Sequence, residues 1–139
     1  MAQKVSEVMT PDPTTLDAAE TVVDAAKAMK NRDVGDVVIA EDGEVRGIVT
    51  DRDIVVRAIA EGRSPGEVRL RDICSKDLTT VTPDTDVNEA VRLMRERSVR
   101  RLPVVQGHNA VGIVSLGDLA IERDPNSALG DISAAQPNR

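Results

Sequence analysis

The sequence predicts a mixed α/β (α+β) fold: two tandem repeats, each β-α-β-β-α with a short leading helix, packed together about a pseudo-two-fold axis. Three observations carry this expectation. The stretch Gly47-Ile48-Val49-Thr50-Asp51-Arg52-Asp53-Ile54-Val55 returns 65 residues later as Gly112-Ile113-Val114-Ser115-Leu116-Gly117-Asp118-Leu119-Ala120. Identities hold the same offset well outside that motif: Thr14/Thr79, Thr15/Thr80, Val22/Val87, Ala25/Ala90, Met29/Met94 and Val34/Val99. Self-similarity at a fixed period marks an internal duplication. Finally, each half runs through the same patterns, a helix-period stripe followed by two short apolar runs separated by a turn.

Taken in order, residues 5–9 form a short helical turn that ends at the break Pro11-Asp12-Pro13, and Thr14-Thr15-Leu16 is a brief strand. Val22, Ala25, Ala26 and Met29 fall at i, i+3, i+4 and i+7, the spacing of an amphipathic helix that stops near Asp33. Residues 37–40 are a buried strand, Glu41-Asp42-Gly43-Glu44 a tight turn with the Asp-Gly signal, and residues 45–50 the returning strand. A second helix covers residues 51–61, with Gly62 as its C-terminal cap.

The second half repeats the programme. Residues 72–75 form the short turn and Thr79-Thr80-Val81 the brief strand. Val87, Ala90, Val91 and Met94 mark a helix, residues 102–105 a strand, 107–109 a turn, 110–115 the returning strand and 116–122 the last helix. Repeat 1 thus spans residues 5–62 and repeat 2 residues 70–123, joined by a linker at 63–69. Residues 124–139, where Pro, Asn, Ser, Gly and Gln dominate, read as a mobile C-terminal tail.

With 139 residues the chain fits one compact domain. It has no Phe, Tyr or Trp, so Val, Ile, Leu, Ala and Met must build the core, and a bound base would sit between aliphatic side chains. The 18 Lys and Arg against 24 Asp and Glu leave a net charge of −6, which argues against nucleic acid or an acidic membrane as partner. A single cysteine, Cys74, excludes an intrachain disulfide and suits a reducing, cytoplasmic setting. No apolar leader and no membrane-length apolar segment is present. One His, one Cys and no Gly-rich phosphate loop argue against an enzyme: neither a common metal site nor a nucleophile–base pair can be assembled. No catalytic residue, metal or required cofactor is expected.

Chemistry concentrates at the two motifs. A buried strand there runs directly into a helix, with Thr50 or Ser115 at the N-cap and Asp53 or Asp118 three positions on, which resembles a capping box. The free N–H groups of such a junction favour a phosphate, and the aspartates can accept hydrogen bonds from a sugar diol. Plain helix capping accounts for the same residues, so both readings stand. Arg100-Arg101, before the Leu102-Pro103-Val104-Val105 strand, read either as a phosphate clamp or as cations closing a helix C-terminus. Cys74 reads as a small buried side chain, Met29 and Met94 as packing residues, and His108 as a surface residue of a turn.

Two copies of strand–helix–strand–strand–helix, each closing on Gly-Ile-Val-Thr/Ser-x-x-Asp, resemble a tandem pair of CBS domains (modules named after cystathionine β-synthase), also called a Bateman module. The resemblance covers residues 5–124, and Thr50-Asp51-Arg52-Asp53-Ile54-Val55 is similar to sequences of stand-alone bacterial CBS pairs. It implies a regulatory sensor that binds adenosine-containing ligands, AMP, ADP, ATP or S-adenosylmethionine, in clefts between the repeats. Carried over by position, Asp53 and Asp118 would accept from ribose hydroxyls, and Thr50 and Ser115 would contact ribose or phosphate. Thr14, Thr15 and Leu16, with Thr79, Thr80 and Val81, would line the base, and Arg100 and Arg101 would hold phosphate. The first repeat departs from this pattern, with Gly35 and Asp36 in place of the arginines. The second-repeat site is therefore expected to bind first. Such pairs commonly dimerise through their helices, and Ile54, Val55, Ala58 and Ile59 give the helix at 51–61 a wide apolar stripe for that purpose. A homodimer with an as yet unspecified protein target is expected. The alternative is a structural interaction module of the same fold without a physiological nucleotide.

Overall fold

In this computed structural model residues 3–75 and 78–135 are described. After a 3-10 turn at Val5–Glu7 come β1 (Thr10–Pro11), β2 (Thr15–Asp17), α1 (Val22–Arg32), β3 (Asp36–Glu41), β4 (Glu44–Thr50), α2 (Asp51–Ile54) and α3 (Leu70–Ile73). The second half supplies α4 (Val87–Arg97), β5 (Arg101–Gln106), β6 (Asn109–Ser115), α5 (Leu116–Arg123) and α6 (Ala128–Ala134). The fold is mixed α+β with two repeats, as the duplicated pattern predicts.

The compact units are not the sequence repeats. One unit comprises residues 12–78 and 107–110; the other takes the residues through 11, then 79–106, and those from 111 onward. The leading segment of each repeat is thus built into the core of the other. In the first-repeat unit the sheet order is β2-β3-β4, with β2 parallel and β4 antiparallel to β3. Asp42 and Gly43 both have positive φ, which gives the β3–β4 hairpin the twist that two-residue turns need. The core is aliphatic: Val22, Ala25 and Met29 of α1 meet Val37, Ile39 and Val49 of the sheet and Leu70 and Ile73 of α3. A capping box starts α1, with Thr21 and Asp24 exchanging backbone hydrogen bonds, and Asp33 in the left-handed region ends it.

The second-repeat unit has sheet order β1-β6-β5. Its strand β1 comes from the Pro11 region, read from sequence as a mere break, and pairs antiparallel with β6 (Thr10 opposite Ile113). Val5, fully buried, joins Val87, Ala90, Leu102, Val104 and Val114 in the core, and its N–H donates to Thr85 O at 2.8 Å. The brief strand expected at Thr79–Val81 shrinks to one parallel bridge, Val81 with Val104. Pro103 occupies the centre of β5 and has no N–H for a ladder, which limits what a neighbouring strand can pair with.

The motif glycines explain how the leading segments dock. A Cβ built on Gly47 would lie 2.6 Å from Cys74 Sγ and 3.1 Å from Ser75 O; one on Gly112 would strike Met9 Sδ. Cys74 and Met9 are related by the 65-residue offset, so each repeat presses a sulfur side chain against a motif glycine.

Two further elements differ from expectation. The helix at 51–61 is α-helical only to Ile54 and continues as a π turn over Val55–Ile59, with the Ala60 N–H donating to Val55 O at 2.8 Å. The segment read as a mobile tail contains α6, which packs on α5. Gly130 is buried there, and a Cβ on it would strike Asp124 O and lie 3.0 Å from Ala120 O. That close backbone approach is the packing a composition-based reading cannot see. Residues 136–139 of the expected tail lie outside the described residues.

Candidate ligand site at the strand-to-helix junctions

In the first-repeat unit, register places the end of β4 beside the start of β3, Thr50 opposite Asp36. Parallel pairing brings β2 to the same edge: Thr15 stands opposite Val38, and Thr14 O accepts from the Val38 N–H at 2.8 Å. The Asp51 N–H then donates to Gly35 O at 3.0 Å, fixing how the chain enters α2. Thr14, Thr15, Thr50 and Asp53 therefore share one end of one sheet, with half-buried Leu16 a step inward opposite Ile39.

Thr50 and Asp53 form a reciprocal capping box. Asp53 N–H donates to Thr50 Oγ1 at 3.1 Å, and Thr50 N–H donates to Asp53 Oδ2 at 2.8 Å. The other carboxylate oxygen, Oδ1, lies 3.7 Å from Arg57 Nε.

The second-repeat unit reproduces this arrangement. Asp118 N–H donates to Ser115 Oγ at 3.1 Å, and Ser115 N–H donates to Asp118 Oδ2 at 2.8 Å. Leu116 N–H donates to Arg100 O at 2.9 Å, so Arg100 and Arg101 stand at the sheet end where Ser115 caps α5. Val81 bonds both Pro103 O and the Val105 N–H, which ties the residues after Thr79 and Thr80 to the same strand. A cleft of about 430 Å³ opens beside Arg100 and Leu116, floored by Val91, Met94 and Leu119. Its walls are aliphatic and its rim carries Arg95, Ser98 and Arg100.

The family model for the CBS domain matches this chain twice, over residues 5–59 and 70–123. The chain belongs to the CBS-domain family. It is 37% identical over 126 residues to the CBS domain-containing protein YhcV of Bacillus subtilis, covering 91% of this chain and 89% of YhcV. The hexameric CBS-CP12 protein from bloom-forming cyanobacteria superposes with a TM-score of 0.78 at 33% identity, over 90% of this chain and 73% of that one. Hypoxic Response Protein I, solved with two coordinated zinc ions, gives 0.76 at 31% identity over 88% and 99%.

Stand-alone CBS-domain proteins are generally regulatory or signalling modules, and no catalytic family is indicated for this one. Among the described residues of this CBS pair, no group of three or more His, Cys, Asp or Glu side chains converges as a metal would require. No helix among them is long and apolar enough to cross a membrane.

Each set of expected residues assembles within its own unit: Thr14, Thr15, Thr50 and Asp53 in one, Val81, Arg100, Arg101, Ser115 and Asp118 in the other. Thr80 is exposed and Thr79 half-buried on the approach to Val81. Both hydroxyls and both aspartates act as caps, so the capping reading is realised in full; each carboxylate spends only Oδ2 on it. Arg57 escaped the sequence reading, although an acid four residues before a base on a helix is a legible pair. At the 65-residue offset its counterpart is Glu122. The two halves thus carry opposite charges at both positions, Asp36 and Arg57 against Arg101 and Glu122.

Proposed function

We propose that this CBS pair is a regulatory sensor, acting in the cytoplasm, that binds adenosine-containing ligands (AMP, ADP, ATP or S-adenosylmethionine) at the strand-to-helix junctions and signals occupancy to a protein target. The observation that carries this reading is the repeated half-buried box in which the carboxylate caps with Oδ2 and keeps Oδ1 for another donor. A ribose diol supplies such donors, and a hydrogen bond to a charged acceptor is stronger than one between neutral groups. The aliphatic cleft beside Arg100 suits a base in a protein without aromatic side chains. Arg100 and the positive N-terminal end of the eight-residue α5 suit its phosphates, the Gly117 N–H lying between the Leu116 N–H, which bonds Arg100 O, and the Asp118 N–H, which bonds Ser115 Oγ.

The two sites are inequivalent. Phosphates at the second junction meet Arg100 and Arg101; at the first they meet the Asp36 and Asp51 carboxylates, and like charges in a partly desolvated cleft repel. The second-repeat site binds first. Titration calorimetry with AMP, ADP, ATP and S-adenosylmethionine tests both statements, since the chain has no aromatic fluorophore. Asp118→Ala should abolish the tighter site and Asp53→Ala leave it largely intact. Equal losses overturn the asymmetry, and no binding below roughly 1 mM, near −4 kcal/mol, overturns the sensor.

A specific observation also favours an interaction role. Val55 and Ile59 are 57% and 51% exposed on the π turn, and Val56 stands out beside them. We place a homodimer contact on this face; the hexameric cyanobacterial relative shows that a related chain self-associates. Light scattering at micromolar concentration should exceed the protomer mass of 14.9 kDa, and a monomer would refute the dimer.

A further inference from the structure

We infer that Arg57 is a positioning residue that passes occupancy of the Asp53 carboxylate to the end of α3 and to Cys74. The inference rests on the nucleotide reading above and extends it to the first-repeat unit. Arg57 holds two groups at once. Its Nε lies 3.7 Å from Asp53 Oδ1, and its Nη1 donates to Ile73 O at 3.3 Å. Ile73 is the last residue of α3, and the adjoining Cys74, 8% exposed, packs its sulfur on the backbone of Gly47. Gly47 belongs to β4, whose last residue is Thr50, the cap that Asp53 closes. The contacts form a ring: β4, Thr50, Asp53, Arg57, Ile73, Cys74 and back to β4.

Two features make this ring responsive to a ligand. Oδ2 already accepts from the Thr50 N–H, so Oδ1, the oxygen facing Arg57, keeps the greater acceptor capacity for a diol, and a diol that spans both oxygens engages it too. An ion pair of that length between partly exposed groups is weak, and hydroxyl hydrogen bonds to a carboxylate outcompete it. Arg57 also lies inside the π turn Val55–Ile59, a helical segment carrying one residue more than an α turn. Such segments recur at functional sites, and a one-residue change of register returns them to α geometry. When the guanidinium leaves Asp53, the π turn no longer has its anchor, and the bond from Arg57 to Ile73 O loosens with it. The second repeat has no equivalent: Glu122 stands for Arg57 and Met9 for Cys74, and α5 is α-helical over its whole length.

Cys74 is the sole cysteine, so thiol labelling reads one place in the chain. Burial pushes its thiol up, away from the reactive thiolate, so labelling is slow until the α3 end opens. The full-length protein would be labelled with 5,5′-dithiobis(2-nitrobenzoic acid), with and without saturating AMP or ATP, and binding measured in parallel by calorimetry. Nucleotide should raise the wild-type rate by about threefold or more, as expected for local opening. Arg57→Ala should label fast without nucleotide and gain nothing from it while still binding. Arg57→Lys, which keeps the charge but not the two-pronged geometry, should keep the fold and lose most of the nucleotide response. Because the second-repeat site binds first, the rates would also be read in Asp118→Ala, where calorimetry reports the Asp53 site alone. Nucleotide that binds this variant yet leaves the rate unchanged or slower overturns the relay alone, and no binding to it does the same. A wild-type rate and response in Arg57→Ala does the same. Absence of binding to any nucleotide overturns the sensor reading and this inference together.

Discussion

Thr50 and Ser115 each accept a hydrogen bond from an N–H of the helix they begin, and a ligand would draw on the same oxygens. The two demands can be separated by substitution. Asn caps as well as Ser, whereas Ala costs about 1 kcal/mol at an N-cap. Ser115→Asn should therefore leave the urea midpoint close to wild type and weaken nucleotide binding roughly tenfold, about 1.4 kcal/mol. Ser115→Ala should lower both. If Asn leaves the calorimetric affinity unchanged, Ser115 is a cap and nothing more. These residues were legible because a capping box is local, written within four consecutive positions. Cys74 was read correctly as a small buried side chain, but its partner was not legible. Gly47 and Cys74 lie 27 positions apart, and no periodicity announces that a sulfur will press on that particular backbone.

Among the elements, α1 and α4 were the most readable, since Val22, Ala25 and Met29 and their counterparts Val87, Ala90 and Met94 fall on one helical face and are buried. The π turn was not readable. Ile54, Val55, Ala58 and Ile59 fit an α stripe, yet only Ala58 is fully buried while Val55 and Ile59 face outward. The apolar pattern fixes which residues avoid water in some assembly, not how many residues the backbone spends on a turn. Helix α6 was missed because Gly130 weakens helix propensity, although Ser127 supplies a cap by accepting from the Gly130 N–H at 2.9 Å. Its small residues let it sit close to α5: Gly117 leaves room for Ser133 Oγ, 2.9 Å from where a Cβ would be. Gly130→Val should therefore undock α6. Hydrogen exchange is expected to show lost protection over residues 128–134, with α1 and α4 unchanged. Retained protection in α6 would show that the glycine contact does not hold it.

For the whole molecule, the duplication was legible at once, because it needs only two copies of one pattern at one offset. That each copy is completed by the other's leading segment was not, since a repeat in sequence says nothing of which core its first turn enters. Val5 makes this testable. It is fully buried among residues of the second repeat, so Val5→Ala should cost about 2 kcal/mol. Native-state hydrogen exchange should show the loss in α4, β5 and β6, with α1 and β3 keeping their protection. Equal loss in both units would mean that they open together.

The same exchange of leading segments sets an order of events during translation. Lys4 Nζ donates to Asp84 O at 3.2 Å across a separation of 80 residues, and Val5 docks on Thr85 beside it. At ribosomal speeds that separation takes roughly 4 to 16 seconds to synthesise. Throughout that interval Val5, Val8 and Met9 have no core to enter, while β2, β3, β4 and α3 emerge and can close around α1. Val5 and its neighbours are thus made before the first-repeat core yet reach their place only after it can have closed.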